Sequence, residues 1–280
     1  MNMRINVYPF TCTSSATAVM NSFVDSLHQH EVKIHNTLTL DHCDLAVIWS
    51  MQWSNLNRKL IYQHYMGLGI PVVVLDSGVL QGKNLWKVGL YRDGVPNFSN
   101  QSVDATRAKD LGLQLKPWRN QGRHIIVCGQ NQQAGDWKLG QMEYYLELTV
   151  AKLRKHTNRR IIVRPHPKAT LRRLNLSGFE DVVVESPDVY EEFNFLDTLD
   201  DAWAVVSHNG KPGIHAAISG IPVFCDPTSL VAPVGNFDLA EIENPKMPDR
   251  TEWLQQVAFT EWTQTEIEVG IPWDRLQRII

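Results

Sequence analysis

The chain has 280 residues, 43% of them hydrophobic and 20% charged, with a formal net charge of −3. This length suits two layered domains of about 100 to 150 residues each, and the composition excludes a disordered chain or one drawn to nucleic acid by overall charge. Cys12, Cys43, Cys128 and Cys225 stand too far apart for a paired structural zinc motif, and no apolar run is long enough to span a bilayer. From the N-terminus, Ile5 to Tyr8 reads as a strand, Ala16 to His28 as a helix, and Val32 to His35 and Leu45 to Trp49 as strands. Asn57 to Gly67 follows as a helix and Val72 to Leu75 as a strand. The start at Met1 runs straight into this pattern without signal-sequence features, so reduced thiols and a cytoplasmic location are expected.

The polar stretch from Asn97 to Gln121 interrupts the alternation, which restarts with a strand at His124 to Cys128. A helix near Leu139 to Lys155, strands at Ile161 to Val163 and Val182 to Val184, and a strand at Ala202 to Val206 follow. Alternation of this kind predicts parallel sheets covered on both faces, hence an α/β fold with two Rossmann-like domains, residues 1–120 and 121–280, facing a cleft. The segments around Gly69-Ile70-Pro71-Val72 and Gly220-Ile221-Pro222-Val223 echo each other. The last thirty residues carry Trp253, Trp262 and Trp273 at roughly helical spacing, and are expected to pack as helices of the second domain.

Ser207-His208-Asn209-Gly210-Lys211-Pro212-Gly213 sits between the Ala202 strand and the apolar run from Ile214. A strand, a polar glycine turn and a helix start with Pro in its first turn bring free amides and a positive helix end to one point, which suits a phosphate. Ile161-Ile162-Val163-Arg164-Pro165-His166-Pro167-Lys168 is a second strand end, carrying Arg164, His166 and Lys168. The two together predict an anion site. No G-x-G-x-x-G follows the first strand, where Thr11-Cys12-Thr13-Ser14-Ser15 stands instead, and no phosphate-loop lysine motif occurs, which disfavours hydride transfer and P-loop ATPase chemistry. The Thr11–Ser15 turn reads best as a helix N-cap.

Arg164-Pro165-His166-Pro167, Ser207-His208-Asn209-Gly210 and Gly220-Ile221-Pro222-Val223-Phe224 resemble the C-terminal domain of GT-B glycosyltransferases, especially the capsule-polysaccharide and Kdo-transferase type. Cys128-Gly129-Gln130-Asn131-Gln132-Gln133-Ala134-Gly135-Asp136-Trp137 resembles the loop that opens the same domain there, with Trp137 in place of a small or hydroxyl residue. The stretches Ile48-Trp49-Ser50, Leu75-Asp76-Ser77-Gly78, Leu85–Leu90 and Glu261-Trp262-Thr263 look like bacteriophage-encoded glycosyltransferase-like proteins. The resemblance implies an acceptor domain before residue 120 and a nucleotide-sugar donor domain after it. Donor binding then falls to Gln130, Arg164, His166, Lys168, Ser207, His208, Asn209, Gly210, Lys211 and Gly213.

Cations and turn amides of this kind stabilise the charge that grows on a phosphate leaving group. No Asp-x-Asp metal motif is visible, so neither a metal nor a cofactor beyond the nucleotide-sugar co-substrate is expected. Asp136 and Asp76 are the candidates for acid/base work, alongside His166, with Glu185 and Asp226 weaker. Each carboxylate also fits a helix cap or loop anchor. Lys152, Arg154, Lys155, Arg159, Arg160, Arg164, Lys168, Arg172 and Arg173 form a lopsidedly basic stretch. It reads as a solvated face, or as a holder for a phosphate-rich acceptor, so the expected acceptor is a polysaccharide or a hydroxymethylated pyrimidine in phage DNA. A sugar-nucleotide epimerase and a catalytically silent nucleotide- or sugar-binding protein remain the alternatives.

Overall fold

A computed structural model describes residues 2–12, 14–50, 55–80, 84–92, 95–97, 104–131, 141–169, 171–185 and 195–280. The chain forms two compact units, residues 1–111 together with 255–280, and residues 112–254.

In the first unit β1 (Arg4–Val7), α1 (Ser14–Asp25), β2 (Glu31–Ile34), β3 (Leu45–Trp49), α2 (Leu56–Gly67) and β4 (Val72–Ser77) follow the predicted order. β3 is apolar and buried along its whole length, as a central parallel strand covered on both faces must be. Side chains alternate across it. Leu45, Val47 and Trp49 join Val73 and Leu75 against Val19, Met20 and Phe23 of α1, while Ala46 and Ile48 join Val72 and Val74 against Ile61 and Tyr65 of α2. β1 pairs in parallel with both β2 and β3, and β3 with β4. The chain thus steps outward from β1 in both directions, and the loops after β1 and β3 flank the switch point.

The expected all-parallel sheet ends at β4. β5 (Trp86–Arg92), β6 (Val95–Asn97) and β12 (Glu261–Trp262) extend it in antiparallel pairings. α3 (Ala105–Asp110) closes the first stretch of this unit, capped by the Asp104 carboxylate on the Thr106 amide at 2.9 Å. The expected boundary near residue 120, with everything beyond it in the second domain, is corrected on both counts. The first unit ends at Leu111, and α6 (Thr251–Ala258) leads back into it, followed by β12, α7 (Gln264–Glu268) and α8 (Ile271–Leu276). Pairing of β12 with β5 and burial of Trp262, Ile267, Trp273 and Leu276 beneath α1 and the sheet account for the return. All three tryptophans are buried as predicted, although Trp262 lies on a strand and Trp253 packs in the second unit, its indole N–H donating to the Leu230 carbonyl at 2.8 Å.

The second unit is a five-stranded parallel sheet in the order β11-β10-β7-β8-β9. Its strands are β7 (His124–Cys128), β8 (Arg160–Arg164), β9 (Val182–Val184), β10 (Ala202–Ser207) and β11 (Val223–Phe224). α4 (Gln141–Leu153) covers one face, setting Met142, Leu146, Val150 and Leu153 on Ile125, Val127, Ile161 and Val163. α5 (Lys211–Ile218) packs on β10 and β11. The sequence echo now has a physical cause. Gly69 and Gly220 both take left-handed backbone, with φ of +71° and +77°, just past α2 and α5. Ile70 and Ile221 then return their amides to the Tyr65 and Ala216 carbonyls at 2.9 Å, and the Pro71 and Pro222 carbonyls open the ladder to Ala46 and Val205.

Candidate functional site

The second sheet changes direction between β7 and β10, so the loops after these strands open the crevice where doubly wound sheets bind ligands. Ser207, Cys128 and Arg164 share the last register of β10, β7 and β8. Above them Gly129 extends the ladder, its amide donating to the Arg164 carbonyl at 2.8 Å. A Cβ on Gly129 would stand 3.3 Å from the Pro165 Cα, so a glycine here lets the β7 and β8 loops approach.

Gln130 donates its side-chain amide to the side-chain oxygen Oδ1 of Asn209, tying the loop after β7 to the turn after β10. Gly210 caps α5 without a side chain, and Pro212 in the first turn has no N–H to satisfy. Beneath the turn lies the Ser207 hydroxyl. The residue is 1% exposed, and its Oγ has no hydrogen-bond partner among the described residues. It sits 3.5 Å from where a Gly210 Cβ would be, with the Gln130 amide nitrogen 3.9 Å from the same point. A Cβ on Gly213 would press on Val231 and Val223 at 3.1 and 3.3 Å, which keeps α5 close to its strands.

His166 faces the same region from β8. Its Nδ1 accepts the Lys168 backbone amide at 3.1 Å, which leaves the proton of the neutral ring on Nε2 as a donor. Burial, then Lys168 and Lys211, hold its pKa below the usual histidine value. Arg164 is buried, and its pKa is lowered by burial against the opposing pull of Cys128 and Glu185. The Cys128 thiol is pushed up to about 12 by burial, so it is a packing thiol, not a nucleophile. His208 has Nε2 3.7 Å from the Asp226 carboxylate, just past β11, and its ring edge-to-face on Tyr145. Burial works to raise the Asp226 pKa, but the Thr228 amide and hydroxyl at 2.9 and 2.6 Å, with His208 nearby, hold it low.

The structure therefore gathers Gln130, Ser207, Asn209, Gly210, Lys211 and Gly213 around one turn, with His166 and Lys168 electrostatically coupled to it and Arg164 buried at the strand end. His208, on the same turn, is braced by Asp226. Tyr145 belongs to that brace and carries no sequence signal, being one apolar-face residue of a helix. Asp136 lies outside the described residues. Asp76 is in the first unit at the end of β4, where it accepts the Ser50 hydroxyl at 3.2 Å. Ser50 itself takes left-handed backbone with φ of 57°. Arg58 on α2, buried and missed by the sequence reading, adds charge near Asp76 and Cys12. The Cys12 end of the Thr11–Ser15 turn closes back on Pro9 through its amide at 2.9 Å. Among the described residues no group of three or more His, Cys, Asp and Glu side chains is placed to hold a metal ion.

His30, His35, His124 and His166 all have pKa values lowered chiefly by burial. Each folded value lies below the unfolded one near 6.5, so just below that pH the unfolded chain binds more protons and stability falls as pH drops. Urea midpoints are expected to decline from pH 7 to pH 5, and His166→Gln is expected to flatten part of that decline.

No family model and no curated protein matches the chain. Two solved structures do share its fold. The beta Kdo 2,4 transferase of KpsC from Thermosulfurimonas dismutans matches with a TM-score of 0.56 at 15% identity, over 92% of this chain and 90% of that one. The beta Kdo 2,7 transferase of the same KpsC matches with a TM-score of 0.54 at 14% identity, over 96% and 99%. A UDP-GlcNAc 2-epimerase from Methanocaldococcus jannaschii, solved with UDP-GlcNAc and UDP, reaches a TM-score of 0.38 at 11% identity over 90% and 97%. The two transferase matches establish the fold, two Rossmann-like units of the GT-B-like kind.

Proposed function

We propose that the chain is a glycosyltransferase that moves a sugar from a nucleotide-sugar to a hydroxyl acceptor without a metal ion. The observation that carries this reading is the turn from Ser207 to Lys211, where a helix start without a side-chain cap, a buried hydroxyl with no hydrogen-bond partner among the described residues and a lysine converge at the switch point. A donor phosphate placed there accepts from the turn amides and from His166 Nε2–H, with Lys211 and Lys168 opposite its charge. As the glycosidic bond breaks, the electron pair stays with the phosphate oxygen, and these fixed donors and cations lower the energy of that charge. Asp136 lies between β7 and α4 in the sequence, outside the described residues, and Asp76 stands at the end of β4 in the first unit. Either carboxylate is the proposed base that takes the acceptor proton. The Kdo transferases that share the fold favour a carbohydrate hydroxyl over a DNA base as acceptor.

A thermal-shift panel of UDP, GDP, CMP, ADP and dTDP, each with and without its sugar, tests the proposal. One donor class is expected to raise the melting temperature by mass action, and His166→Ala to remove the shift. A panel without any shift rejects the donor site. Product analysis then separates transfer, which yields a new glycoside, from epimerisation, which returns a changed nucleotide-sugar.

A further inference from the structure

We infer that the outer face of α4, with the loop that lies beside it, is a docking surface for an acidic lipid bilayer. Between residues 141 and 173 the chain carries nine Lys and Arg against two Glu, although its overall charge is −3. The fold uses part of this excess internally. The Arg154 guanidinium donates to the Thr157, Arg159, Glu180 and Asp181 carbonyls, Arg159 pairs with Glu243, and Arg164 is buried. Lys152, Lys155, Arg172 and Arg173 are exposed and have no carboxylate partner among the described residues.

Two exposed apolar side chains share a helix face with one of these cations. Tyr144 is 65% exposed and Leu148 38%, one turn apart on α4, and Lys152 continues the same stripe. The neighbouring loop is fixed in place, because the Asn175 amide donates to the Glu147 carboxylate at 2.8 Å and Leu171, Leu174 and Leu176 pack on the core that α4 covers. Arg172 and Arg173 belong to this loop, three and two residues before that contact. An exposed aromatic and an aliphatic side chain on one helix stripe with Lys152, beside a loop that carries two exposed arginines, match a bilayer interface, where the apolar groups enter the headgroup layer and the cations reach lipid phosphates. A polyanion in water would engage the cations but gain little from Leu148, which is why we assign the surface to a membrane. No helix among the described residues is long and apolar enough to cross one, so the contact is peripheral. This surface is separate from the turn at Ser207, and its failure would leave the donor site untouched.

Co-sedimentation of the full chain with vesicles of phosphatidylcholine, with and without phosphatidylglycerol, tests the inference. Binding is expected only to the mixed vesicles and to be released by salt. Each cation near such a surface adds roughly fivefold to binding, so Lys152→Glu with Arg173→Glu should weaken it on the order of a hundredfold or more. Tyr144→Ser with Leu148→Ser should weaken it about tenfold. All four positions are exposed, so both variants should melt as the parent does, and the salt dependence of the unmodified chain provides a readout without substitution. Equal binding to neutral vesicles, or none to either, overturns the inference. So does full vesicle binding after the Tyr144 and Leu148 changes, or a preference for heparin or DNA over the mixed vesicles, which would mark a polyanion surface instead.

Discussion

Lys211→Ala should weaken binding of the preferred nucleotide-sugar about 10- to 100-fold while leaving the melting temperature of the unliganded protein nearly unchanged. The two halves of this expectation have different causes. Lys211 opens α5 directly after the uncapped Gly210, and its charge reaches the same region as His166, whose pKa it helps to lower. A charge-assisted hydrogen bond to phosphate contributes about 1.5 to 3 kcal/mol net, which gives the stated range in affinity. Because the side chain is exposed, its removal leaves no cavity and costs little stability. Lys211→Arg should recover part of the loss, and Lys109→Ala on α3 of the other unit should have no effect. Calorimetric titration of each variant is the measurement. An unchanged dissociation constant for Lys211→Ala would remove this turn from the donor site.

The largest effect on stability is expected from Glu261→Ala. Glu261 is fully buried on β12, and its carboxylate accepts the Val79 amide and, at 3.1 Å, the Leu80 amide. Removing it strands two buried N–H groups, each costing about 1 to 3 kcal/mol, and opens a void at the bend after β4. The loss should total about 3 to 5 kcal/mol and lower the melting temperature by roughly 10 °C or more. Arg107 lies close by, donating to the Ala258 and Glu261 carbonyls and to Glu266 while its guanidinium stacks 4.3 Å from the Trp262 ring. Glu261→Gln keeps one acceptor oxygen and should lose about half as much. Thermal melts of the three proteins decide. A Glu261→Ala melt equal to that of the parent would show that β12 does not hold the returning segment.

The C-terminal segment also shows where the sequence is silent. Its tryptophans and helical spacing announced burial, and burial is what they have, but the partner was not readable. β12 contributes only two residues, Glu261 and Trp262, to the sheet. So short a strand has no periodicity of its own and exists because β5 offers it an edge some 170 residues earlier in the chain. β5 was likewise hidden, since Trp86–Arg92 lacks clean alternation and takes its direction from β4.

Elsewhere local rules were enough. Continuous apolar runs at Leu45–Trp49, His124–Cys128 and Ala202–Ser207 dictated buried parallel strands, and the two Gly-Ile-Pro-Val segments dictated helix stops that feed strands. The Ser207–Gly213 turn was legible for the same reason: glycine, proline and a polar cap mark a helix start within a few residues. What only the tertiary structure decided is which side chains meet there. Gln130 and Asn209 are 79 residues apart and touch because β7 and β10 are neighbours. His208, expected at the ligand, also stands beside Asp226 because β11 lies next to β10. Among the nine cations of the basic stretch, Arg154, Arg159 and Arg164 were absorbed by backbone carbonyls, an ion pair and the buried strand end, leaving six on the surface, four of them with no ion pair or side-chain hydrogen bond among the described residues. Sequence fixes backbone preference within a few residues, whereas strand order sets the company a side chain keeps. That order is chosen by the burial of whole faces at once.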